Sequence, residues 1–317
     1  MAHYTKATIF GGTGFLGRYV VENIADNNVT IRVPTRSMAK GYFLRMAGGV
    51  GQVVAQGCNI HDDLSVQKAI EGSDWVINLV GALSEQGTSS FEKLHHEFPE
   101  RLARLCQQSG VKRLVHVSSL GADENAPSLY ARTKALGEQV ILREFPKATI
   151  LRPSVMFGPE DRFFNFFAQM AVFSPVLPLI GGGKTQFQPV YVNDVARAIV
   201  ESVRRPEQEV QGKIFELGGD ERYSFKGLLE KLADFTGKKR HLLNIPFGLA
   251  KIQGAIFQHL PGTLLTVDQV RQLMTDNVVS GAKPGLKELG IVPETLDAIL
   301  PQYLGRFSGG RFAFKRA

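Results

Sequence analysis

The chain has 317 residues, which is long enough to bury a large core and to form two lobes. Its 44% hydrophobic and 21% charged residues are ordinary for a soluble globular protein. A net charge of +7 is compatible with affinity for nucleic acid, an anionic membrane or an acidic partner, and equally with a basic soluble enzyme. No run of about eighteen apolar residues occurs, so no transmembrane helix is expected, and the early first strand predicts no signal peptide. Cys58 and Cys106 are too few for a disulfide framework, and we expect both to be reduced and buried.

Residues Ala7 to Val20 combine a β-branched and aromatic run, a glycine-rich turn and an apolar helical pattern. Their glycines match the spacing G-x-G-x-x-G, which permits a tight turn, close approach of the backbone to a pyrophosphate and close packing of helix on strand. Phosphates would then meet free N–H groups at the positive end of the helix. The alternative is a tight turn without a ligand. The predicted dinucleotide contacts here are Gly11, Thr13, Gly14, Phe15, Leu16 and Gly17.

The end of the second predicted strand, Val29 to Val33, is the place where such folds select their cofactor. Arg36 follows Gly17 by nineteen residues, and no acidic residue lies between Thr30 and Tyr42. An arginine at this point pairs with the 2′-phosphate of NADP, whereas an acidic residue would select NAD. We therefore predict NADP(H) over NAD(H), with Lys40 assisting. The alternative is a solvated loop arginine.

Strands and helices alternate through the first half of the chain. The further predicted elements are a strand at 52–55, a helix at 64–71, a strand at 75–80, a helix at 91–109 and a strand at 114–117. This alternation predicts an α/β fold with a doubly wound parallel sheet, in which ligands bind at the carboxyl ends of the strands. Asn59 and Ile60 follow the third strand, where adenine would lie, and Val80 and Gly81 follow the fourth, where small residues permit close approach.

The second informative stretch is Tyr130 to Lys134, where a tyrosine and a lysine share one helix face. An ammonium near a phenol lowers the tyrosine pKa, so Tyr130 is a candidate proton donor or acceptor, with Lys134 tuning it. Ser118 or Ser119, at the end of the fifth strand, would orient a substrate oxygen. The alternative is an exposed helix pair. The neighbouring His95 and His96 are expected on a helix surface, and no metal site is predicted.

These residues identify a resemblance. The chain resembles the extended and atypical members of the short-chain dehydrogenase/reductase superfamily. The residues that carry the resemblance are Gly11 to Gly17, Asn78 to Gly81, Ser118 and Ser119, Tyr130 with Lys134, Arg152 and Pro153, and Pro189 to Asp194. The resemblance covers Thr5 to about Gly290 and implies a Rossmann fold with a smaller C-terminal lobe. It also implies that Pro153, Tyr130 and Lys134 contact the cofactor.

One branch of the superfamily is similar in more detail, through Gly11 to Val21, Lys134 to Glu138 and Pro153 to Phe163. This branch is the NADPH-binding accessory subunit of respiratory complex I and its bacterial relatives. The resemblance implies tightly held NADPH, a structural or assembly role in the NADH:quinone oxidoreductase, and complex I subunits as partners. The serines, the tyrosine and the lysine are all present here, which keeps a catalytic role open.

The alternation of strands and helices breaks down after residue 153. We predict a dinucleotide-binding domain at 1–153 with 187–217 returning to it, a small lobe at 154–186 and 218–300, and a basic tail at 301–317. Phenylalanines 163, 164, 166 and 167 would line an apolar pocket or form core. The helix Phe247 to Leu260 is unusually apolar and lies beside the basic run Lys238 to Arg240, so this helix and the tail are candidate membrane-surface contacts. Nucleic-acid binding is not expected.

Two functions from different classes remain open at this point. The first is an NADP(H)-holding structural subunit associated with complex I. The second is an NADPH-dependent reductase or dehydrogenase of an apolar carbonyl substrate that uses the serine, tyrosine and lysine. The expected location is the cytoplasm, with a peripheral position on the cytoplasmic face of the inner membrane.

Overall fold

The structure is a computed structural model that describes residues 5–25, 29–85, 89–258 and 265–308. Its residues group into two compact units. The first unit comprises Met1–Pro153, Asn193–Leu217 and Gly281–Val292, and the second comprises Ser154–Val192, Gly218–Ser280 and Pro293–Ala317.

The elements alternate in the first half of the chain as the sequence predicts. They are β1 (Lys6–Phe10), α1 (Phe15–Ala25), β2 (Thr30–Thr35), a 3-10 segment (Met38–Ala47), β3 (Val53–Gly57), α2 (Asp63–Ile70), β4 (Trp75–Asn78), a π-helical segment (Glu92–Glu97), α3 (Phe98–Gln108), β5 (Arg113–Val117), α4 (Leu129–Glu144) and β6 (Thr149–Pro153).

Shorter strands and more helices follow. They are β7 (Met156–Phe157), α5 (Phe163–Phe173), β8 (Val176–Ile180), β9 (Gln186–Phe187), β10 (Val190–Tyr191), α6 (Val192–Arg204), α7 (Glu207–Val210), β11 (Ile214–Leu217), β12 (Tyr223–Ser224), α8 (Phe225–Thr236), β13 (His241–Ile245), α9 (Phe247–Phe257), α10 (Val267–Gln272) and α11 (Leu296–Leu304).

Seven parallel strands form the sheet of the first unit, in the order β11-β6-β5-β4-β1-β2-β3. Most of their residues are apolar and buried, among them Ile9, Ile31, Val76, Val115 and Leu151, because helices cover a parallel sheet on both faces. The predicted doubly wound Rossmann arrangement is confirmed. The strand β1 lies between β2 and β4, so the order of strand addition reverses there, and folds of this kind bind ligands outside the carboxyl ends of those strands.

The helix α3 anchors one face of this sheet. Phe98, Leu102 and Cys106 are fully buried on one side of the helix, and the Phe98 ring lies 5.3 Å from the ring of Phe10 on β1. Burial raises the pKa of the Cys106 thiol, which keeps it protonated. Cys58 and Cys106 are both free and buried, as predicted.

The second unit has its own apolar core, built on α5, α8 and α11. Phe163, Phe164 and Phe167 pack with Phe187 and Phe225, with ring centroids 5.1 to 6.3 Å apart. The aromatic run therefore forms core, which was one of the two interpretations of this run. The buried Asp161 carboxylate begins α5 by accepting hydrogen bonds from the Phe164 N–H and the Tyr303 hydroxyl, each at 2.6 Å.

The boundaries of the units differ from the predicted domains in three segments. Residues 187–192 group with the second unit because they pair there with Tyr223 and Met156. Residues 281–292 group with the first unit, where the Glu216 N–H donates to the Pro284 carbonyl. The predicted tail at 301–317 is wrong in its described part, since 301–304 complete α11 with Tyr303 and Leu304 buried, while 309–317 lie outside the described residues.

Three elements also differ from their predicted form. The predicted helix 91–109 begins with a π-helical segment, and Pro189 divides the predicted strand 187–192 into β9 and β10. The helix α9 ends at Phe257, and the last two residues of its predicted range lie outside the described chain. Within the described ranges, no helix combines the length and the hydropathy needed to cross a bilayer.

Candidate nucleotide-binding site

The turn between β1 and α1 requires glycine at several positions. The Gly14 N–H donates to the Gly11 carbonyl at 2.9 Å, and Gly11 has a φ of +80°, a left-handed conformation that favours glycine. A Cβ atom on Gly17 would overlap the Gly11 carbonyl oxygen and lie 2.6 Å from the Gly12 Cα. The helix therefore starts against the strand only because these side chains are absent.

The start of α1 presents main chain rather than bulky side chains. Gly14 is exposed, Thr13 and Phe15 are half-buried, and Leu16 anchors the helix in the core. The first N–H groups of a helix have no partner within it, and the helix dipole makes this end positive. Because the turn lies at the carboxyl end of β1, these groups form a cradle suited to a pyrophosphate.

The predicted cofactor-selecting residues lie after β2. Arg36 and Lys40 are exposed, and neither side chain makes a hydrogen bond or ion pair among the residues that the structure describes. Thr35 shapes the turn, since its hydroxyl donates to the Ser37 carbonyl at 3.0 Å. Two further arginines are near this segment: the Arg18 guanidinium lies 5.4 Å from the Phe43 ring centre, and Arg45 lies 4.7 Å from the Tyr42 ring centre.

The loops after β3 and β4 lie at the same edge of the sheet. Asn59 is exposed, and its side-chain oxygen accepts a hydrogen bond from the His61 N–H at 3.1 Å, while the Ile60 carbonyl accepts from Arg101. The Val80 N–H donates to the Asn78 side-chain oxygen at 3.1 Å. Gly81 is exposed, and a Cβ there would lie 3.4 Å from the Lys134 Nζ.

Lys134 is buried, with its Nζ donating to the Val117 carbonyl at 3.1 Å. Burial lowers its pKa to about 8, and the nearby Glu138 carboxylate acts in the opposite direction. Glu138 itself is buried and binds Arg152 through two hydrogen bonds of 2.9 and 2.6 Å. Pro153 follows on β6, where its carbonyl accepts from the Leu120 N–H and so fixes the loop after β5.

The expected lowering of the Tyr130 pKa is wrong in this structure. Burial of the phenol end raises the pKa of Tyr130, and the neighbouring Ser119 hydroxyl only partly offsets this. The Lys134 ammonium donates instead to the Val117 carbonyl, and it is not among the causes that shift the pKa of Tyr130. Tyr130 is consequently a neutral phenol near pH 7, which suits a proton donor and not a proton acceptor.

Two buried polar atoms near the end of β5 make no hydrogen bond within the described part of the chain. They are His116 Nε2 and Ser118 Oγ. The tautomer of His116 follows from its neighbours. Since Asn78 accepts from Val80 through its oxygen, its amide nitrogen donates to His116 Nδ1 at 3.1 Å, and the proton of His116 is on Nε2. Buried donors left unpaired are costly, so this edge of the sheet is prepared for a polar ligand.

His95 was predicted on a helix surface, and this prediction is wrong. The side chain is buried, its Nε2 accepts from the Ala82 N–H at 3.1 Å, and its Nδ1 lies 3.1 Å from the Thr133 hydroxyl. Burial, together with the nearby Lys134 ammonium, lowers the pKa of His95 to about 2. His96 is half-buried and pairs with Glu92. Among the described residues, no group of three His, Cys, Asp or Glu side chains is arranged to hold a metal ion.

Comparison with known proteins places this geometry in a family. The sequence model of the NAD dependent epimerase/dehydratase family matches residues 7–218, which include the glycine turn, the buried lysine and the strand-end serines. The chain belongs to the NAD-dependent epimerase/dehydratase family. The predicted resemblance to extended short-chain dehydrogenases is thereby confirmed, and nicotinamide dinucleotide binding is the property for which this family is named.

Several curated relatives are subunits of the mitochondrial NADH dehydrogenase (ubiquinone). The chain is 36% identical over 315 residues to the mitochondrial NADH dehydrogenase (ubiquinone) 1 alpha subcomplex subunit 9 of Arabidopsis thaliana, covering 96% of this chain and 78% of that protein. It is 36% identical over 298 residues to the Rattus norvegicus subunit, covering 92% and 77%. A solved NADPH-dependent quinone oxidoreductase from Escherichia coli, complexed with NADPH, shares the fold, with a TM-score of 0.74, 20% identity and coverage of 95% and 99%.

The structure brings together most of the predicted site residues of this epimerase-family fold at one edge of the first unit. It adds His116 and Thr133, which the sequence reasoning left out, and His95, which it placed on a helix surface. It also gives contacts to Asn78, Glu138 and Arg152, which carried the resemblance without a predicted role. One signal was available in the sequence, since Asn78 and His116 each stand close to the end of an otherwise apolar buried strand. No such signal marks His95, because its burial depends on how α4 packs.

Proposed function

We propose that this protein binds a nicotinamide dinucleotide as a resident ligand, with NADP(H) preferred over NAD(H). The glycine turn that excludes any Cβ at position 17 carries this proposal, because such a turn leaves space for a pyrophosphate at the start of α1. The residues present fit the group. Gly11, Thr13, Gly14, Phe15, Leu16 and Gly17 would hold the pyrophosphate, Asn59 and Ile60 the adenine, and Val80, Gly81, Tyr130, Lys134 and Pro153 the nicotinamide half.

The preference for NADP(H) rests on the charge at the end of β2. Arg36 and Lys40 are exposed cations, and no acidic residue stands between Thr30 and Tyr42 to accept a ribose 2′-hydroxyl. We expect Arg36→Ala to weaken NADPH binding by about tenfold or more and to leave NADH binding almost unchanged. Isothermal titration with both nucleotides measures this, and an exposed arginine elsewhere, as in Arg162→Ala, is the control. Equal losses for the two nucleotides would contradict the role of Arg36.

We further propose that the protein has a mainly structural or assembly role as an accessory subunit of an NADH:quinone oxidoreductase. The support is the identity of 36% over 96% of the chain to a subunit of the mitochondrial enzyme. Deletion of the gene should then reduce the amount of fully assembled complex I on native gels. Normal assembly and normal NADH:quinone activity in the deletion strain would contradict this role.

A surface of the second unit fits a partner or a membrane. The helix α9 exposes Leu249, Ile252 and Ile256 by half or more of their area, and Leu243 on the preceding β13 is also exposed. The basic run at 238–240 precedes this face. We propose a peripheral position on the cytoplasmic side of the inner membrane. Vesicles of phosphatidylglycerol and phosphatidylcholine should retain the wild-type chain in flotation, and Leu249→Ser with Ile252→Ser should lose it.

One observation favours a second function, an NADPH-dependent reductase of an apolar carbonyl substrate. The buried Ser118 hydroxyl has no hydrogen-bond partner among the described residues. The Ser119 hydroxyl is close enough to Tyr130 to affect the pKa of the phenol. When bound, a reduced nicotinamide supplies a hydride. The serine hydroxyls would bind the carbonyl oxygen, and the neutral Tyr130 phenol would donate the proton to that oxygen. Lys134 would stabilise the phenolate that remains.

One experiment separates the two functions. The purified protein is analysed by mass spectrometry for bound nucleotide, and absorbance of the reduced nicotinamide is followed as carbonyls and quinones are added. NADPH that stays bound and is not oxidised supports the structural role. Oxidation that stops in Tyr130→Phe, while binding persists, supports the reductase. A chain that binds no nicotinamide dinucleotide contradicts the proposal as a whole.

A further inference from the structure

His95 is connected to two separate parts of the candidate site. Its Nε2 accepts the N–H of Ala82, in the loop after β4, and its Nδ1 lies 3.1 Å from the Thr133 hydroxyl on α4. The Thr133 hydroxyl in turn donates to the Tyr130 carbonyl at 3.0 Å. A single side chain therefore bridges the loop that contains Gly81 and the helix that carries Tyr130 and Lys134.

The partners assign every proton in this bridge. A main-chain N–H can only donate, so His95 Nε2 is the acceptor and the imidazole proton is on Nδ1. This proton is donated to the Thr133 oxygen, whose own proton is used on the Tyr130 carbonyl. The three hydrogen bonds therefore all point the same way, with Ala82 donating to His95, His95 to Thr133 and Thr133 to the Tyr130 carbonyl. A neutral imidazole with its proton on Nδ1 meets both requirements, an acceptor at Nε2 and a donor at Nδ1.

Ring packing ties His95 to the tyrosine as well. The His95 ring stacks on Phe91 with centroids 5.2 Å apart, and both rings meet the Tyr130 ring edge to face, at 5.3 and 5.8 Å. Such contacts fix the plane of an aromatic ring. The main chain of His95 also packs directly against α4, since a Cβ on Gly137 of that helix would overlap the His95 carbonyl oxygen.

We propose that His95 is a positioning residue that holds the loop after β4 and the Tyr130 helix at a fixed separation around the nicotinamide half of the ligand. The proposal rests on the proposed nucleotide binding. It predicts that His95 sets ligand affinity and the environment of the nicotinamide without itself contacting the reacting atoms. His95 lies next to the loop that it is proposed to hold. A Cβ on Gly81 would lie 3.6 Å from His95 Nε2 and 3.4 Å from Lys134 Nζ.

Two amide substitutions divide the bridge into its halves. In His95→Asn, the amide nitrogen takes the place of Nδ1, which keeps the bond to Thr133 and loses the bond to Ala82. In His95→Gln, the amide oxygen takes the place of Nε2, which keeps Ala82 and loses Thr133. Thr133→Val removes the bond to His95 at nearly constant volume, together with the bond to the Tyr130 carbonyl, so its effect should be at least that of His95→Gln. His96→Gln, at a half-buried neighbour on the same segment, is the matched control.

The first measurement needs no nucleotide. Amide hydrogen exchange at Ala82 in the full chain should become about tenfold faster in His95→Asn and stay near the wild-type rate in His95→Gln and His96→Gln. Unchanged protection of Ala82 in His95→Asn would overturn the proposal. This readout stands even if the wild-type chain binds no nucleotide, an outcome that would contradict the proposed function alone.

The second measurement uses NADPH as the probe. Both His95 variants and Thr133→Val should bind NADPH about fivefold to tenfold more weakly, and the emission of the bound reduced nicotinamide should shift toward that of free NADPH. A purely structural role of His95 would lower thermal stability and leave the emission of the bound nucleotide unchanged. Affinity within twofold of wild type in all three variants, or an equal loss in His96→Gln, would overturn the proposal.

Discussion

At the residue scale, Gly17 is placed where any side chain would collide with main-chain atoms. Main chain cannot yield as the end of a flexible side chain can, so the helix would have to move away from β1. The separation between the turn and the helix start is what suits a pyrophosphate. Stability and binding therefore depend on the same missing Cβ atom.

We expect Gly17→Ala to destabilise the protein by about 2 kcal/mol or more and to weaken nucleotide binding by at least about tenfold. Urea unfolding and isothermal titration measure the two effects. Gly248→Ala is the matched control, because a Cβ there meets nothing within 4 Å at the exposed start of α9. That control should leave binding unchanged and keep or slightly raise stability. Tight binding by Gly17→Ala would contradict the steric interpretation of this turn.

Burial of the Lys134 ammonium costs stability. Burial lowers its pKa to about 8 from 10.5. Between these values the unfolded chain binds more protons than the folded chain, so the stability contributed by this group rises with pH across pH 8 to 10.5. Below pH 8 the full cost of the buried ammonium is present, up to about 3 kcal/mol.

Lys134→Met should therefore raise the free energy of unfolding at pH 7, and this gain should vanish as the pH approaches 10.5. Nucleotide affinity should fall by about tenfold or more in the same variant, since the cation near Gly81 is lost. Urea unfolding at several pH values and titration with NADPH give both numbers. The exposed Lys147→Met is the control and should show neither change. A pH-independent effect on stability would contradict this account.

At the element scale, α4 is held from three sides. Ser128 begins the helix, since its buried hydroxyl accepts the Ala131 N–H at 3.1 Å. The π-helical segment packs on the helix at Gly137, and its widening has an identifiable cause in Pro99, which has no N–H to give to the His95 carbonyl four residues earlier. Buried Glu138 then pairs with Arg152 of β6.

Removing the first of these supports should affect stability and the site together. Ser128→Ala is expected to cost about 1 kcal/mol and to weaken nucleotide binding severalfold, because Tyr130 and Lys134 lie within the first two turns of the helix. Thr295→Ala removes an equivalent cap, at the start of α11 in the second unit. It should cost a similar free energy and leave binding unchanged. Equal effects of the two variants on binding would show that stability alone, and not the placement of α4, determines affinity.

At the scale of the whole molecule, two buried neutral histidines make the chain sensitive to acid. Burial lowers the pKa of His95 to about 2 and places that of His116 well below its usual 6.5. Below pH 6.5 the unfolded chain binds protons that the folded chain does not, so stability falls as the pH falls. Each histidine contributes about 1.4 kcal/mol per pH unit in this range.

We therefore expect the free energy of unfolding to be lower at pH 5 than at pH 7, by about 2 kcal/mol from His95 and by a further loss of the same sign from His116. In His116→Gln, the difference in the free energy of unfolding between pH 7 and pH 5 should be smaller, because one of the two buried histidines is gone. This holds whatever the variant does to stability at pH 7. Urea unfolding at the two pH values measures it, and His61→Gln, at an exposed position, is the control. The same pH dependence in wild type and His116→Gln would contradict the assignment.

The sequence by itself determined the sheet, the glycine turn and the family. Apolar runs of strand length between amphipathic helices leave few arrangements other than a doubly wound sheet, and a glycine pattern is local, so its geometry follows from a few adjacent residues. The alternating elements and the reduced cysteines follow from composition and period alone, whereas the choice between pocket and core for the aromatic run in α5 needed the ring contacts of the folded chain. Tyr130 and Lys134 are identified in the same way, since their spacing is set by one helix.

Only the tertiary structure decided the protonation states of the site residues, such as Tyr130, and which side chains contact them. The pKa of Tyr130 is raised and not lowered, because burial of the phenol outweighs a lysine that is bound elsewhere. His95 is buried although its own helix pattern suggests a surface, because α4 approaches it through Gly137. Desolvation and long-range hydrogen bonds depend on which elements pack together. Asn78 and His116, which are 38 positions apart in the sequence, form their hydrogen bond only because β4 and β5 are neighbours in the sheet.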